Sequence, residues 1–332
     1  MGRRFNDIFV TGGAGYVGSA LVPRLLESGY NVKVYDLFIY GDNLSDHPRL
    51  EKVQGDIRDS ERLLKSSRGS DALIHLACIS NDPSFDLNPE LGKSINFDAF
   101  PNVVEAATAN GVRRLVVASS TSQYGIVDPS VEVTEEFRGN PTTDYARFKL
   151  ECEDLLQKTD INDMEYTLIR PATLCGYAPR LRLDLTINQM TLNALVRKKI
   201  VLKGADRMRT HLNIEDMVRV YECILEAPGE KVGRQAFNVS ATNKTLAEAG
   251  QIVKDALEDQ TIEIEHVSAG DDDRSYHVNA EKIKRDLGFV CLHSIADAVR
   301  SLKEAYLQGK ITNPLNNPLY FNIRRMKDLD LK

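Results

Sequence analysis

Apolar residues recur with two different periods along the first half of the chain. Short apolar runs rich in β-branched residues predict five strands, at 7–13, 31–37, 72–78, 114–120 and 166–172. Amphipathic helical spacing lies between them, most clearly at 16–29, where Gly29 would end the helix, and at 97–111. Strands that alternate with helices are joined by crossovers, so the pattern predicts an α/β fold with a doubly wound parallel sheet.

The pattern changes after about residue 175. A Pro-containing loop at 178–190 leads into a polar helix start, 209–217 predicts a strand followed by a helix, and 245–258 and 294–309 are amphipathic helices. We therefore expect a second, smaller domain that packs over the carboxyl edge of the sheet.

The predicted boundaries assign 1–175 plus about 206–238 to the sheet domain, and about 176–205 and 239–332 to the smaller, discontinuous domain. The end of the chain, from residue 311, is rich in Pro and Asn and then in charged residues. We expect it to form an extension or an interface arm rather than part of the core.

Length, charge and hydropathy argue against several classes of protein. A chain of 332 residues exceeds one ordinary core, which agrees with two domains or one large doubly wound unit. A net charge of −6 without a long basic run argues against nucleic acid and anionic membranes as partners. No stretch approaches the ~20 apolar residues of a membrane-spanning helix, and the amino terminus passes into a strand without an apolar leader. We expect a cytoplasmic protein.

The cysteines and histidines predict neither disulfides nor a metal site. The six histidines are dispersed, and no Cys/His cluster has the spacing of metal ligands. The five cysteines are scattered and odd in number, as is typical of reduced thiols in a cytoplasm: Cys78, Cys152, Cys175, Cys223 and Cys291.

The turn after the first predicted strand carries the sequence VTGGAGYVGS (10–19). It contains G-x-G-x-x-G at Gly13, Gly15 and Gly18, and G-x-x-G-x-x-G counted from Gly12. Glycines at this spacing allow a tight turn and a close approach of a pyrophosphate to the helix amino terminus. Because the motif joins a strand to a helix, a dinucleotide site is favoured over a plain Gly-rich turn.

Acidic residues at two later turns extend this site. Asp36 ends the second predicted strand, near the offset of ~20 residues at which an acid binds the ribose hydroxyls. A carboxylate there repels a 2′-phosphate and favours NAD over NADP, although an ordinary turn aspartate is the alternative. Asp56 and Ile57 would contact the adenine, or form a solvated turn.

Hydroxyl and basic side chains cluster at and after the fourth predicted strand. The run VVASSTSQYG (116–125) places Ser120 at a strand end, where open α/β sheets bind ligands, although turn chemistry explains such a run equally well. Tyr145 and Lys149 follow one helical turn apart. The same spacing recurs at Tyr306 and Lys310, so the pair is informative only in its context.

TGGAGYVGS, Asp36, HLAC, SSTSQYG and YARFK, in this order, resemble the extended short-chain dehydrogenase/reductase family, in particular its NAD-dependent nucleotide-sugar epimerase/dehydratase branch. The resemblance spans most of the chain and implies a Rossmann-like NAD domain, a nucleotide-diphospho-sugar substrate and a homodimer. It implies that Tyr145 is the general base, that Lys149 favours its phenolate, and that Ser120 hydrogen-bonds the reacting sugar oxygen.

The resemblance also implies two sets of binding residues. The cofactor set is Gly12, Gly15, Tyr16, Val17, Gly18, Asp36, Asp56, Ile57, Leu76, Ala77 and Lys149. The substrate set is Ser80, Asn81, Thr121, Thr173, Arg180, Arg182, Asn188, Arg209 and Arg274. Surface ion pairs for the arginines, and loop capping for Ser80 and Asn81, are the alternatives.

The chain departs from the family pattern at three places. Thr121 and Ser122 replace the acidic pair that follows the catalytic hydroxyl in 4,6-dehydratases, which argues against dehydration. Thr173 occupies the position of an Asn that commonly binds the diphosphate, and Arg274 follows the late Gly-Asp pair instead of preceding it.

The sequence therefore predicts oxidation at C4 of a nucleotide-diphospho-sugar, with an epimerase as the leading interpretation. The same residues would serve a dehydrogenase or reductase that releases a keto product. A non-catalytic dinucleotide-binding sensor or scaffold is a third interpretation, but it has no need to keep Ser120, Tyr145 and Lys149 in register. The nucleotide base and the sugar stay open.

Overall fold

The computed structural model describes residues 3–128, 131–268 and 277–331. Arg274, assigned to the substrate set, lies outside the described residues. The five strands and the main helices predicted from the hydrophobic pattern all form, with ends displaced by a few residues.

Fourteen strands and thirteen α-helices make up the described chain. The strands are β1 (Asp7–Thr11), β2 (Asn31–Asp36), β3 (Leu50–Gln54), β4 (Ala72–His75), β5 (Arg114–Ala118), β6 (Glu132–Val133), β7 (Glu165–Pro171), β8 (Thr173–Cys175), β9 (Lys199–Lys203), β10 (Met208–Asn213), β11 (Gln235–Val239), β12 (Thr242–Thr245), β13 (Glu263–Val267) and β14 (His277–Val278). The helices are α1 (Tyr16–Glu27), α2 (Ser60–Ser66), α3 (Asp82–Phe85), α4 (Pro89–Lys93), α5 (Phe100–Ala109), α6 (Asp144–Lys158), α7 (Thr186–Arg197), α8 (Ile214–Glu226), α9 (Gly229–Val232), α10 (Leu246–Leu257), α11 (Glu281–Leu287), α12 (Ile295–Leu307) and α13 (Asn322–Asp328).

Seven strands form one parallel sheet in the order β11-β7-β5-β4-β1-β2-β3. The predicted doubly wound α/β fold is confirmed. The chain reverses its direction of winding between β1 and β4, and open sheets bind ligands at the carboxyl ends of such a pair. The two edge strands, β3 and β11, were not predicted from the pattern. In β3, LEKVQ, no residue is fully buried, so it lacks the apolar run of a central strand.

Alternate residues of the central strands pack into two separate apolar cores, one on each face of the sheet. Val10 of β1 faces the layer formed by α1 and α8, which contributes Leu21 and Ile224. Phe9 faces the opposite layer, in which Val103 of α5 packs. Successive strand side chains point to opposite faces, so buried residues at consecutive positions require helices on both sides of the sheet.

The second half of the chain builds smaller units. β12, β10 and β8 form a three-stranded sheet, and β13 pairs with β9. Helices α7, α10 and α12 share a separate apolar core with β9. The division of the chain into two domains at the boundaries given above stays a prediction.

The C-terminal segment differs from its expected role. The sequence predicts an extension or interface arm, but Asn322 is 3% exposed and contacts other parts of the same chain. Tyr320 and Phe321 pack against a small apolar cluster that includes Leu183 and Leu302. In the sequence, this burial is indicated only by the adjacent aromatic residues Tyr320 and Phe321 in an otherwise polar segment.

Replacing Arg114 with methionine is expected to lower the free energy of unfolding by about 3–5 kcal/mol. The side chain is fully buried; it pairs with Glu165 and donates to the carbonyls of Leu225 and Ala227 at 3.2 and 2.9 Å. The substitution removes the donor of Glu165 Oε2 and of several buried carbonyls, and only the partly exposed Arg4 still pairs with Glu165, at 3.2 Å. Urea denaturation monitored by circular dichroism measures the loss.

The matched control is Arg113→Met, at the preceding position. Arg113 pairs with Asp71 at 2.9 Å, but its side chain is 55% exposed. Exposed pairs contribute only about 0–1 kcal/mol. Equal losses in the two variants would contradict the role assigned to Arg114.

Candidate active site

The glycine-rich loop brings three strand ends together. Gly12 has φ +73°, and a Cβ there would lie 2.5 Å from the backbone nitrogen of Ala77, at the end of β4. Its own amide donates to Tyr35 O at 2.9 Å, at the end of β2. A Cβ on Gly18 would lie 2.4 Å from Gly13 O, so only glycine lets α1 pack this closely on the loop. The loop therefore forms the close turn that the motif predicts.

The amino terminus of α1 faces the cleft without a side-chain cap. Gly15 precedes the helix and makes no capping hydrogen bond, and the first turn has no acidic residue. The unpaired amides and the positive end of the helix dipole suit an anion. Tyr16 donates its hydroxyl hydrogen to Gly176 O at 2.6 Å, which joins this helix to the second half of the chain.

Two backbone amides, one of them in the glycine-rich loop, hold the carboxylate of Asp36 in place. Its Oδ2 accepts from the Ala14 amide at 3.0 Å, and its Oδ1 accepts from the Phe38 amide at 2.7 Å. Burial raises the pKa of Asp36, and the two amides oppose this rise. Asp56 is also fixed, since Arg58 hydrogen-bonds its carboxylate and holds its pKa low despite burial.

Helix α6 places Tyr145 and Lys149 on one face at the carboxyl edge of the sheet. Thr143 caps the helix by accepting from the Ala146 amide at 3.3 Å, and its hydroxyl donates to Asp82. Lys149 Nζ donates to Ala118 O at 2.7 Å and lies 5.9 Å from the ring centroid of Tyr145. The ammonium is therefore fixed between the end of β5 and the phenol.

The second Tyr-x-x-x-Lys pattern has no such arrangement. Helix α12 ends at Leu307, so Tyr306 is helical while Lys310 lies beyond the helix end. Gly309 has φ +73°, a conformation that helices do not continue through. The two side chains therefore do not share a helix face. The Tyr-x-x-x-Lys spacing forms a side-chain pair at Tyr145 and Lys149 but not at Tyr306 and Lys310.

Burial and the charge of Lys149 shift the pKa of Tyr145 in opposite directions. Burial raises its pKa to about 12, and the charge of Lys149 lowers it. Cys78 and Asp82 add to the rise, whereas Arg182 opposes it. Burial disfavours the ammonium of Lys149, but the surrounding Cys78, Tyr145, Cys152 and Glu153 together outweigh burial and raise its pKa. The phenol therefore keeps its proton until further positive charge reaches the site.

Ser120 stands where β5 ends and a short 3₁₀ turn, Thr121–Tyr124, begins. Its Oγ accepts from the Ser122 amide at 3.1 Å and lies 2.8 Å from Ser122 Oγ. Ser120 therefore caps the turn, as expected from the turn chemistry of the hydroxyl run. It also lines the cleft together with Tyr145. The two roles are compatible because a hydroxyl has one hydrogen to donate and two lone pairs.

A buried polar network lies behind these three residues. Glu153, on α6, is 1% exposed and pairs with Arg170 of β7. It also accepts from Ser119, which precedes Ser120, and from Gln123 Nε2 at 2.9 Å. Arg170 Nη1 donates to Tyr124 OH at 2.9 Å. The catalytic helix and the end of β5 are thereby held in one orientation.

The loop before α7 contributes a charged pair to the opposite wall. Arg182 Nε donates to Asp184 Oδ1 at 3.0 Å, and its Nη1 donates to Ser80 Oγ at 3.0 Å. Asn81 Nδ2 reaches Asp184 Oδ2 at 3.3 Å. Asn188 bonds away from the cleft: its Oδ1 accepts from the Gly176 amide at 2.8 Å, and its Nδ2 donates to Arg182 O at 2.9 Å.

All these elements enclose one cleft of about 490 Å³. Every predicted site residue that the structure describes lines the cleft, except Asn188. The lining residues that were not predicted include Tyr40, Asp82 and Asn322, which lie in segments whose path the sequence does not reveal.

Two features are absent from residues 3–128, 131–268 and 277–331. No group of three or more His, Cys, Asp or Glu side chains is placed to hold a metal ion in this part of the chain. None of its helices is both long and apolar enough to cross a membrane.

Fold and cleft together define a dinucleotide-binding enzyme with a Ser, Tyr and Lys set beside the cofactor loop. The model of the NAD dependent epimerase/dehydratase family matches residues 8–240, and the chain belongs to this family.

Relatives with assigned activities include UDP-glucose 4-epimerases. That of Mycolicibacterium smegmatis is 30% identical over 247 residues, which cover 71% of this chain and 77% of that protein. That of Lacticaseibacillus casei is 31% identical over 176 residues, covering 52% and 53%. An uncharacterised protein of Sinorhizobium fredii is 33% identical over 183 residues, 53% of this chain and 43% of its own length. The chain thus spans about half the length of several of the curated relatives it matches.

The solved structure of DesIV, a dTDP-glucose 4,6-dehydratase from Streptomyces venezuelae with NAD bound, is similar with a TM-score of 0.82. The two are 25% identical, and the match covers 93% of this chain and 100% of that one. The cofactor of the family is NAD, and the residues here fit it. Gly12 and Gly18 leave room that a Cβ would fill, the start of α1 is open to a pyrophosphate, and Asp36 suits a ribose hydroxyl.

Gly12→Ala is expected to abolish NAD binding. The new methyl group would meet the backbone of Ala77, and the positive φ would add strain. Isothermal titration with NAD measures the effect. The control is Gly288→Ala, which also has a positive φ, +69°, but nothing within 4 Å of the added Cβ. Unchanged NAD affinity in Gly12→Ala would show that the cofactor does not use this turn.

Proposed function

We propose that the protein oxidises a hydroxyl at C4 of a nucleotide-diphospho-sugar and returns the hydride to the other face, as an epimerase. The observation that carries the proposal is the placement of Tyr145 and Lys149 on one helix face, in the same cleft as Ser120 and the NAD loop. The relatives named UDP-glucose 4-epimerase support this reaction over others of the family.

The side chains divide the proton chemistry among them. Bound NAD supplies the hydride acceptor and a positive charge. Tyr145, as phenolate, takes the proton of the sugar hydroxyl, and Ser120 hydrogen-bonds the same oxygen as it becomes a carbonyl. Lys149, whose Nζ lies 5.9 Å from the centroid of the Tyr145 ring, stabilises the phenolate, and its bond to Ala118 O keeps it in place. The raised pKa of Tyr145 means that Lys149 alone does not ionise the phenol.

The opposite wall is proposed to bind the sugar nucleotide. Arg182 is fixed by Asp184 and Ser80 and lies close enough to Tyr145 to affect its charge. Arg209, on β10, also lines the cleft and would contact the diphosphate. The remaining proposed contacts are Ser80, Asn81, Thr121 and Thr173.

Dehydration is disfavoured by the residues that follow Ser120. Thr121 and Ser122 carry hydroxyls rather than an acid to protonate a leaving hydroxide. Thr121 is 2% exposed, and its hydroxyl donates to Pro171 O at 3.1 Å. The site therefore supports oxidation and reduction at one carbon and offers no acid at this position for elimination.

Tyr145→Phe is expected to lower kcat by at least about 100-fold, since it removes the base. NAD affinity should stay nearly unchanged. Turnover is followed with UDP-glucose and UDP-galactose, and NAD binding by calorimetry. Tyr306→Phe is the matched control, because that tyrosine has the same sequence spacing to a lysine but lies outside the cleft. Full activity in Tyr145→Phe would refute the mechanism.

Net reduction of NAD separates the epimerase from its nearest alternative. An epimerase returns each hydride, so absorbance of reduced nicotinamide should not grow with turnover. Steady accumulation of NADH would replace the epimerase with a dehydrogenase that releases a keto product.

Lys149→Met is expected to shift the pH profile of kcat. Activity rises with pH as Tyr145 loses its proton, and loss of the lysine charge raises the pKa of the phenol further. The acidic limb of the profile should therefore move to higher pH. Lys310→Met serves as the control. An unshifted limb, with only a uniform loss of rate, would assign Lys149 to positioning alone.

A further inference from the structure

Arg180 lies at the cofactor end of the cleft, although the sequence groups it with the substrate loop. Its backbone amide donates to Ser19 Oγ at 3.0 Å, in the first turn of α1. Its guanidinium lies over the ring of Tyr40, 3.7 Å from the centroid, in the loop that follows Asp36. The two elements that flank Arg180 are thus those that hold the dinucleotide.

Arg180 is also a buried cation that forms no ion pair with a carboxylate among the described residues. It is 3% exposed, and its Nε donates to nothing in the part of the chain that the structure describes. None of the ion pairs among these residues includes it: Asp184 pairs with Arg182, and Asp184 and Tyr40 only partly oppose the effect of burial on the pKa of Arg180. Burial lowers the pKa of Arg180 to about 10. A buried charge of this kind is costly unless it is paired, so a bound anion would stabilise it.

Two diphosphates could supply that anion, one in the cofactor and one in the substrate. The charge of Arg180 acts on the carboxyl group of Asp36, and its amide bonds α1, whose open amino terminus suits a pyrophosphate. The guanidinium of Arg182 instead donates to Ser80 and Asp184. The neighbours of Arg180 therefore favour the cofactor.

We propose that Arg180 binds the diphosphate of NAD and that Asn322, from the C-terminal segment, positions it there. The proposal depends on NAD binding and is independent of the reaction that follows.

Asn322 is suited to orient a cation without neutralising it. Its Oδ1 accepts from Arg180 Nη2, and its Nδ2 donates to Ser80 Oγ at 3.2 Å. Its backbone amide reaches Asp184 Oδ2 at 3.4 Å. A neutral amide fixes the guanidinium and leaves its charge for the ligand, whereas a carboxylate at this position would form an internal ion pair. Asn322 is therefore a positioning residue.

Calorimetric titration of NAD into stripped protein tests the proposal with two variants. Arg180→Gln should bind NAD about 10- to 100-fold more weakly, because a charge-assisted hydrogen bond is lost. Its ligand-free melting temperature should be no lower than that of the wild type, since a buried unpaired charge is removed. Asn322→Asp should also weaken NAD binding, because the new carboxylate would pair with Arg180 and compete with the diphosphate.

The controls separate this role from a structural one and from substrate binding. Arg324→Gln alters an exposed arginine of the same segment that donates to Leu315 O, and should leave NAD affinity unchanged. UDP, titrated into the NAD-loaded proteins, should bind the wild type and Arg180→Gln equally.

Three results would overturn the proposal. One is unchanged NAD affinity in Arg180→Gln, and another is a loss of UDP affinity alone, which would return Arg180 to the substrate. The third is a ligand-free Arg180→Gln protein that melts well below the wild type while NAD still gives the full thermal shift. If Arg180→Gln does not fold, Asn322→Asp decides, because it leaves Arg180 in place.

Discussion

The buried ion pair between Glu153 and Arg170 is the interaction on which the reaction centre depends. Glu153 follows Lys149 by one helical turn and Tyr145 by two, so the pair fixes the rotation of α6 about its axis. The same carboxylate accepts from Ser119, which sets the direction in which Ser120 leaves β5. Removing one partner of such a pair typically costs about 3–5 kcal/mol. The geometry of the three reacting side chains is therefore tied to the stability of the fold.

The protein alone leaves two ionisable side chains of the cleft without sufficient compensating charge. At one end, Tyr145 keeps a pKa of about 12 because burial outweighs the charge of Lys149. At the other end, Arg180 is buried with an unused donor. One end favours additional positive charge and the other favours an anion. NAD carries both, a positive ring and a diphosphate, so a single ligand would satisfy two separate deficits of the same cleft.

Most of the central fold and much of the site could be predicted from sequence, because the relevant signals are local. The apolar runs of β1, β2, β4, β5 and β7 are continuous in the chain, and the glycines and Asp36 lie at fixed offsets from them. Edge strand β3 was missed because it buries little and has a weak apolar pattern, and β11 was missed because polar Gln235 and Asn238 interrupt its apolar residues although it is largely buried. Asn322 was missed because its partners, Ser80 and Arg180, are more than one hundred residues away.

The sequence by itself determined the cofactor turn, the acid at the end of β2 and the helix face that carries Tyr145 and Lys149. These features depend on spacing within one turn or one helix, where covalent geometry leaves few alternatives. Only the tertiary structure decided that Asn188 bonds inward and that Arg180 lies next to α1. Each of these outcomes depends on which distant segments pack together, and long-range packing sets the burial and the charge around a side chain.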